Sequence, residues 1–281
     1  MVIIHGPPTG RNGFSTVTAC AISRTGEMHM SKMKYHDLRK QVIKICLAMN
    51  EEGINQGTSG NVSVRTDEGF LITASGIPYK KMKPEHIVEM DLEGGYRGEY
   101  FPSTEWRMHM DIFKVRPEAQ AIVHVHSTYA TAIACLRKEI PPFHYMIGIA
   151  GGSTLRVSDY AEFGTQALSD TMLKAMEGRS GCLLANHGQI CFGDDLDQAL
   201  WRAGEIEALS HQYWAALLAG KPVILGDGEM STVLRRFGSY GKQAADLKGQ
   251  DVSTLAVHAP VRRDGELPSL AEVKVSKKKR K

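Results

Sequence analysis

The chain has 281 residues, of which 42% are hydrophobic, so it is long and apolar enough to bury a substantial core. Its formal net charge is +3, but six basic residues fall within the last eight positions, so the remainder of the chain is near −3. A nucleic-acid-binding domain would carry its positive charge on folded elements, and a membrane protein would need a longer apolar run, so both classes are excluded.

The two ends of the chain differ in composition from its middle. Residues 1–33 mix Gly, Pro, Ser, Thr and Met without a period, which predicts a poorly ordered leader. Residues 34–245 are expected to form one domain, and residues 246–281 a polar tail. Its basic end, "KKKRK", is typical of a solvated terminus, and an import-like or nucleic-acid-binding signal is the alternative. Five cysteines without CxxC spacing favour a soluble, cytoplasmic protein with reduced thiols.

The first elements of the domain are predicted from hydrophobic spacing. Leu38, Val42, Ile45 and Met49 recur at helical intervals after Tyr35 and predict a helix that ends near the following glycine. The stretches "NVSVR" and "GFLITA" then alternate as strands and flank a turn at residues 67–69, which predicts a hairpin.

The second half of the domain alternates helices and strands irregularly. A helix that Pro102 and Ser103 precede is predicted to run until about Arg116, where Pro117 stops it, followed by the strand "AIVHV". Further helices are expected at 128–136, 160–177, 195–219 and 228–245, with a strand pair in "GCLLANHGQICFG". This order favours an α/β fold with a mixed sheet covered by helices over a regular βαβ array.

Two histidines interrupt the strand "AIVHVH". Period-two alternation places His124 and His126 on the same face, where two imidazoles are costly to bury unless something binds them. His187, in "ANHGQ", ends another apolar strand and would complete three nitrogen ligands with an open position, the pattern of a catalytic zinc site. The alternative is a pair of hydrogen-bonded core histidines and an unrelated loop histidine.

A carboxylate beside the metal is the usual proton carrier of a metal enzyme. Glu105, in "PSTEW" at the start of the predicted helix, is the best candidate, although a carboxylate there also complements the helix dipole without any catalytic role. His109, four residues later, is a less favoured candidate for a metal ligand.

Three small-polar stretches are candidate anion cradles. Asn61 belongs to "NQGTSGNVS", Ser75 and Gly76 to "TASG", and Ser103 and Thr104 to the turn before Glu105. None matches the Walker A pattern, and each alone is also typical of an ordinary turn.

Taken in order, these motifs resemble the class II aldolase/adducin family, most closely its fuculose-phosphate aldolase branch. The resemblance runs from about residue 34 to residue 240. It rests on "INQGTSGNVSVR", "ITASGIPY", "PSTEWR", "IVHVH", "IPPFHYMIGIAGG", "YAEFGT", "NHG" and "SYG".

The resemblance implies a single domain with a central, mostly antiparallel sheet, assembled as a homotetramer with active sites between neighbouring subunits. One Zn²⁺ per subunit would be bound by His124, His126 and His187, with Glu105 as the acid–base group. The family's phosphate-binding positions correspond here to Asn61, Ser75, Gly76, Ser103 and Thr104. Tyr145 would donate a proton from the adjacent subunit, and Tyr240 would close over the site.

The activity that the resemblance implies is retro-aldol cleavage of a ketose-1-phosphate to dihydroxyacetone phosphate and an aldehyde. L-fuculose-1-phosphate and a 5-deoxy- or 5-methylthio-pentulose-1-phosphate both remain open as substrates. Thr104 stands where the family pattern has a serine, and Ser75 stands where it has a threonine, so both positions keep a hydroxyl. The alternatives on the same fold are a 4-epimerase, which would favour aspartate in place of Glu105, a dehydratase, a decarboxylase and a non-catalytic adducin-like module.

Overall fold

A computed structural model describes residues 33–237 of the chain. The predicted tail, all of the predicted leader except Met33, and Tyr240 lie outside the described residues. The described part forms one seven-stranded sheet with helices packed on both faces, which confirms the α/β fold class.

The first helix, α1 (His36–Glu51), buries Val42, Ile45 and Met49 along one stripe, as their spacing predicts. It ends where Gly53 adopts a left-handed backbone conformation with φ of 73°.

The sheet begins with the predicted hairpin, β1 (Asn61–Thr66) and β2 (Gly69–Thr73). The other strands are β3 (Ile87–Met90), β4 (Tyr96–Arg97), β5 (Ala121–Val125), β6 (Gly181–Leu184) and β7 (Gly188–Gly193). Their spatial order is β4-β3-β2-β1-β5-β7-β6, and each neighbouring pair is antiparallel. The sheet is therefore antiparallel, as the resemblance implies, and the mixed sheet predicted from the irregular order of elements was wrong, because every neighbouring pair runs in opposite directions. Strands β1 and β5 lie at its centre.

The remaining helices follow the predicted order. They are α2 (Trp106–Val115), α3 (Thr128–Cys135), α4 (Gln166–Ala175), α5 (Leu196–Ala219) and α6 (Asp227–Phe237). The prediction of a helix from residue 160 was wrong at its start, because the Thr165 hydroxyl accepts a hydrogen bond from the Leu168 amide and caps α4 there. Residues 160–165 are consequently a loop.

Strand alternation divides the buried side chains between two cores. Val62, Val64, Val123 and Val125 face one core, which also contains α1, α3 and α5. On the opposite face, Ile122 packs in a second core with residues of α2 and α4. Each fully buried aliphatic side chain contributes about 1.5–3 kcal/mol, so the two cores fix the strands that carry the central histidines.

The four cysteines within residues 33–237 are unpaired, and three of them are buried. None of the helices in that range has the length and apolar character needed to cross a lipid bilayer.

Gly188, at the start of β7, lies where the backbone leaves no room for a side chain. A Cβ atom there would approach the Val125 carbonyl oxygen to 2.5 Å and Cδ2 of His126 to 3.0 Å. We expect Gly188→Ala to destabilise the fold by about 1–3 kcal/mol, measured by denaturant unfolding, and to weaken metal binding.

The matched control for this prediction is Gly204→Ala in α5, where a Cβ would meet no atom within 4 Å. That variant is expected to gain up to about 1 kcal/mol from helix propensity. Equal stability of the two variants would show that the space beside His126 is not restrictive.

Candidate active site

The two histidines of β5 lie together on the face predicted by alternation. Asn61 of β1 is the register partner of His124, so their side chains share that face. Nε2 of His124 lies 3.0 Å from Nε2 of His126, and the ring of His124 is completely buried. Two adjacent imidazole nitrogens at this distance are suited to binding a common ligand.

His187 joins them from the turn between β6 and β7. Its amide donates a hydrogen bond to the Leu184 carbonyl, and the preceding Asn186 adopts a left-handed backbone with φ of 55°. The ring centroid of His187 is 4.9 Å from that of His124 and 4.7 Å from that of His126. The structure therefore brings together the three histidines that the sequence singled out.

Glu105 approaches the histidines from the residue immediately before α2. The segment that carries it runs beside the end of β2, where the Ser103 amide donates to the Thr73 carbonyl and Ala74 bridges Pro102. Oε2 of Glu105 is 2.9 Å from Nε2 of His124, and Oε1 is 3.1 Å from Nε2 of His187. A buried carboxylate is thus in direct contact with the imidazole cluster.

One ligand atom from each of these four side chains lies within 4.8 Å of the others. His124 donates through Nδ1 to the Gln189 carbonyl at 2.8 Å, which fixes its tautomer and leaves the Nε2 lone pair for a metal. Within residues 33–237, Oε1 of Glu105 has no hydrogen-bond donor of suitable geometry although it is buried. Three imidazoles and an orphaned carboxylate oxygen fit a divalent metal ion.

The electrostatics of the cluster keep Glu105 and His126 in the forms that can bind a metal. Burial alone would raise the pKa of the Glu105 carboxyl, but the charges and short contacts of His124 and His187 outweigh burial and hold this pKa well below its usual range. Burial, together with the neighbouring His124 and His187, lowers the pKa of His126 to about 3. Near neutral pH the carboxylate is therefore ionised and His126 is neutral.

A cavity of about 270 Å³ opens onto the cluster. Glu105, His126 and His187 form one side of this cavity, and the other lining residues are Ser59, Thr104, Tyr160, Ala161, Phe163 and Asn186. Tyr160 and Phe163 come from the loop that precedes α4 and are more than half exposed. The cavity therefore combines a polar, charged end with an aromatic wall.

The predicted phosphate-binding residues occupy different positions around the cavity. Thr104 lines it, and Ser103 is buried beside Glu105, to whose amide its hydroxyl is bonded. Ser75 and Gly76 are exposed on the adjacent segment, where the Ser75 amide donates to the Phe101 carbonyl. Asn61 is buried and donates to Oε2 of Glu105 at 3.1 Å.

The two predicted tyrosines lie elsewhere. Tyr145 begins a short 3-10 helix (Tyr145–Ala150), is 48% exposed, and does not line the cavity of its own chain. Tyr240 lies outside the described residues, so its role stays a prediction.

Several site features escaped the sequence reasoning. His109 is not in the metal-binding cluster; it is completely buried and hydrogen-bonded to Asn61 and Ser63. Tyr160 and Phe163 were noticed only as parts of "YAEFGT", and no spacing argument distinguishes a cavity wall from an ordinary aromatic loop.

The buried His109 predicts an acid-sensitive fold. Burial, with a contribution from the nearby His124, lowers the pKa of His109 to about 3. The unfolded chain binds this proton below about pH 6.5 and the folded chain does not, so stability falls as pH drops from about 6.5 toward 3, by about 1.4 kcal/mol per pH unit. The measurement is the free energy of unfolding in urea at several pH values, for the metal-free wild type and for metal-free His109→Gln, each relative to its own value at pH 8. We expect the pH dependence that one bound proton contributes to be absent from His109→Gln. The same pH dependence in both proteins would contradict this expectation.

Comparison with known proteins connects this geometry with one family. The model of the class II aldolase and adducin N-terminal domain matches residues 40–214. The chain is 46% identical to a 5-methylthioribulose-1-phosphate/5-deoxyribulose-1-phosphate aldolase of Rhodospirillum rubrum, over 74% of this chain and 94% of that protein. It is 44% identical to the L-fuculose phosphate aldolase of Escherichia coli strain K12, over 74% of this chain and 98% of that protein.

The structural comparison agrees with the sequence comparison. A solved structure of an L-fuculose 1-phosphate aldolase superposes with a TM-score of 0.71 at 39% identity, covering 75% of this chain and all of that one. The chain therefore belongs to the class II aldolase/adducin family, and within it to the metal-dependent aldolases, which are carbon–carbon lyases.

Proposed function

We propose that the protein cleaves a ketose-1-phosphate to dihydroxyacetone phosphate and an aldehyde, with Zn²⁺ as its metal. The observation that carries this proposal is the convergence of His124, His126, His187 and Glu105 at the end of a cavity. The names of the similar aldolases from R. rubrum and E. coli support the sugar-phosphate class of substrate.

The metal would be held by the three histidines, and the mixture of imidazole and carboxylate donors suits zinc. When bound, it supplies Lewis-acid stabilisation for the negative charge that develops on the substrate oxygens. His124 is kept in the ligating tautomer by its bond to the Gln189 carbonyl.

The proton carrier in this proposal is Glu105. Cleavage breaks the C3–C4 bond of the ketose and leaves the electron pair in an enediolate at C2–C3, while the proton of the C4 hydroxyl passes to the oxygen of Tyr145 from an adjacent subunit. The carboxyl of Glu105 then delivers a proton to C3 and completes dihydroxyacetone phosphate, and in condensation it removes that proton. Its ionised state near neutral pH suits it to removing the C3 proton in the condensation direction.

The phosphate is expected to bind beside Glu105, where Ser103 and Thr104 precede α2 and Ser75 and Gly76 follow β2. Amides and hydroxyls at the start of a helix favour an anion without a lysine. Asn61 completes the proposed cradle. These assignments are carried over from the family pattern at matching positions.

The oligomer proposed for this chain is a homotetramer with shared active sites. Tyr145 is exposed and does not line the cavity of its own chain, which is compatible with the family pattern in which it donates a proton to the aldehyde oxygen in an adjacent subunit's site. We also expect the protein to act in the cytoplasm, since its described cysteines are unpaired.

The aromatic wall, formed by Tyr160 and Phe163, indicates which aldehyde the enzyme releases. Tyr160 and Phe163 contribute aromatic surface to the same cavity as the charged cluster. L-fuculose-1-phosphate, 5-deoxyribulose-1-phosphate and 5-methylthioribulose-1-phosphate all end in a methyl or methylthio group, which such a wall would accommodate. We therefore propose a ketose-1-phosphate with an apolar terminus.

The test is a panel of these three ketose-1-phosphates, with a hydroxyl-terminated ketose-1-phosphate as the matched control. Products are identified by ¹H and ³¹P NMR. We expect dihydroxyacetone phosphate and one aldehyde from the methyl- and methylthio-ended members, with lower kcat/KM for the control. Dehydration, decarboxylation or epimerisation products instead would overturn the aldolase proposal.

A further inference from the structure

A buried chain of hydrogen bonds reaches the Glu105 carboxylate at Oε2, the oxygen that His124 also contacts. The Ser63 hydroxyl lies 2.6 Å from Nδ1 of His109, and Nε2 of His109 lies 2.5 Å from Oδ1 of Asn61. The Asn61 amide nitrogen in turn lies 3.1 Å from Oε2 of Glu105. All four residues are less than 9% exposed, so no bulk water competes for these bonds.

The chemistry of the groups gives this chain one direction. A carboxylate oxygen only accepts hydrogen bonds, so the Asn61 nitrogen faces Glu105 and its oxygen faces His109. The imidazole must then carry its proton on Nε2 and accept the Ser63 hydroxyl proton at Nδ1. The carboxylate therefore sets the orientation of the Asn61 amide, and His109, as the donor to Oδ1, holds the amide in that orientation.

The orientation of this amide matters most when a metal is bound. His124 and His187 contact the Glu105 carboxylate through Nε2, the same atoms that would ligate the metal. A histidine that ligates through a ring nitrogen cannot donate a hydrogen bond through it. Of the described residues whose side chains contact this carboxylate, Asn61 is then the remaining hydrogen-bond donor.

We propose that His109 is a positioning residue, which acts through Asn61 to hold the Glu105 carboxylate in place for proton transfer. His109 is anchored on α2, Asn61 and Ser63 on β1, and Glu105 precedes α2, so the chain ties that helix to the central strand. The catalytic part of this inference rests on the proposed aldolase function, whereas the positioning part does not. The proposed phosphate role of Asn61 is distinct from its bond to Glu105, so the two roles are separated by experiment.

The kinetic test uses two substitutions that divide the functions of the imidazole. Glutamine places an amide nitrogen near the position of Nε2 and keeps the donor to Asn61, whereas asparagine reaches only Ser63. In the metal-loaded enzyme, we expect His109→Asn to lower kcat by about 10–100-fold with little change in KM or metal content. His109→Gln is expected to retain most of the activity.

A double-mutant cycle tests whether His109 acts through Asn61. Asn61→Ala should lower kcat by a similar factor, and the double variant should lose no more than either single variant. Inhibition by inorganic phosphate should be unchanged by His109→Asn. Additive losses, or failure of His109→Gln to rescue kcat, would overturn the inference.

Crystal structures of the metal-free full-length variants provide a readout that does not depend on the substrate. We expect the bond between Asn61 Nδ2 and Glu105 Oε2 to persist in His109→Gln and to be lost in His109→Asn. An intact bond in His109→Asn would overturn the positioning role even if the enzyme is an aldolase. Conversely, absence of aldolase activity in the wild type would remove the proposed function while the crystal structures still decide the role of His109.

Discussion

Replacing Glu105 with glutamine is expected to leave the fold and the metal content unchanged and to lower kcat by about 10²–10⁴-fold. Glutamine keeps an oxygen that can accept the Asn61 hydrogen bond, and the three histidine ligands are untouched. It cannot carry a proton between substrate atoms, so the loss should fall on kcat. The measurement is dihydroxyacetone phosphate release under saturating substrate, with metal content determined by atomic emission.

The matched control is Glu85→Gln, which removes an exposed carboxylate whose contact with Lys83 is 4.0 Å long. Exposed pairs of this kind contribute little, so its kcat should equal that of the wild type. Turnover of Glu105→Gln close to that of Glu85→Gln would remove Glu105 from its proposed role.

Replacing His126 with alanine is expected to remove the metal and to lower activity by at least about 10³-fold, since a Lewis acid contributes several kcal/mol to such a transition state. His126 is less buried than His124, so its loss should damage the fold less. Metal per chain and product release are measured on the same preparation.

His211→Ala serves as the control for this experiment. His211 stacks on Tyr129 at 3.7 Å, is exposed, and lies outside the metal-binding cluster. It should keep full metal content and activity. Full metal content in His126→Ala would mean that His126 is not a ligand.

The histidine cluster was predictable because strand alternation is a local rule. His124 and His126 must share a face whatever the tertiary structure, and β5 obeys this rule. His187 was predictable only as a strand-end histidine beside a glycine; its convergence with the pair depends on β7 being the neighbour of β5. The family resemblance implies that these two strands are neighbours, whereas residue spacing within a strand does not.

The role of His109 was not predictable, because its partners are 46 and 48 residues away in the sequence. From the sequence, a histidine one turn beyond Glu105 is a candidate metal ligand, although a less favoured one than the other three. His109 is a partner of Asn61 and not a metal ligand because it is buried against β1 and because the Glu105 carboxylate only accepts hydrogen bonds. Both conditions depend on the tertiary structure. The start of α4 was missed for a more local reason, since apolar spacing continues through residues 160–165 although the cap lies at Thr165.

The central claim, metal-dependent aldol cleavage at the histidine cluster, is tested most directly by removing and restoring the metal in one preparation. The wild-type protein is treated with a chelator, assayed for dihydroxyacetone phosphate release from the ketose-1-phosphate panel, and assayed again after addition of one equivalent of Zn²⁺ per chain. We expect release to disappear with the metal and to return with it. Undiminished release from protein shown to be free of metal would contradict the proposed mechanism.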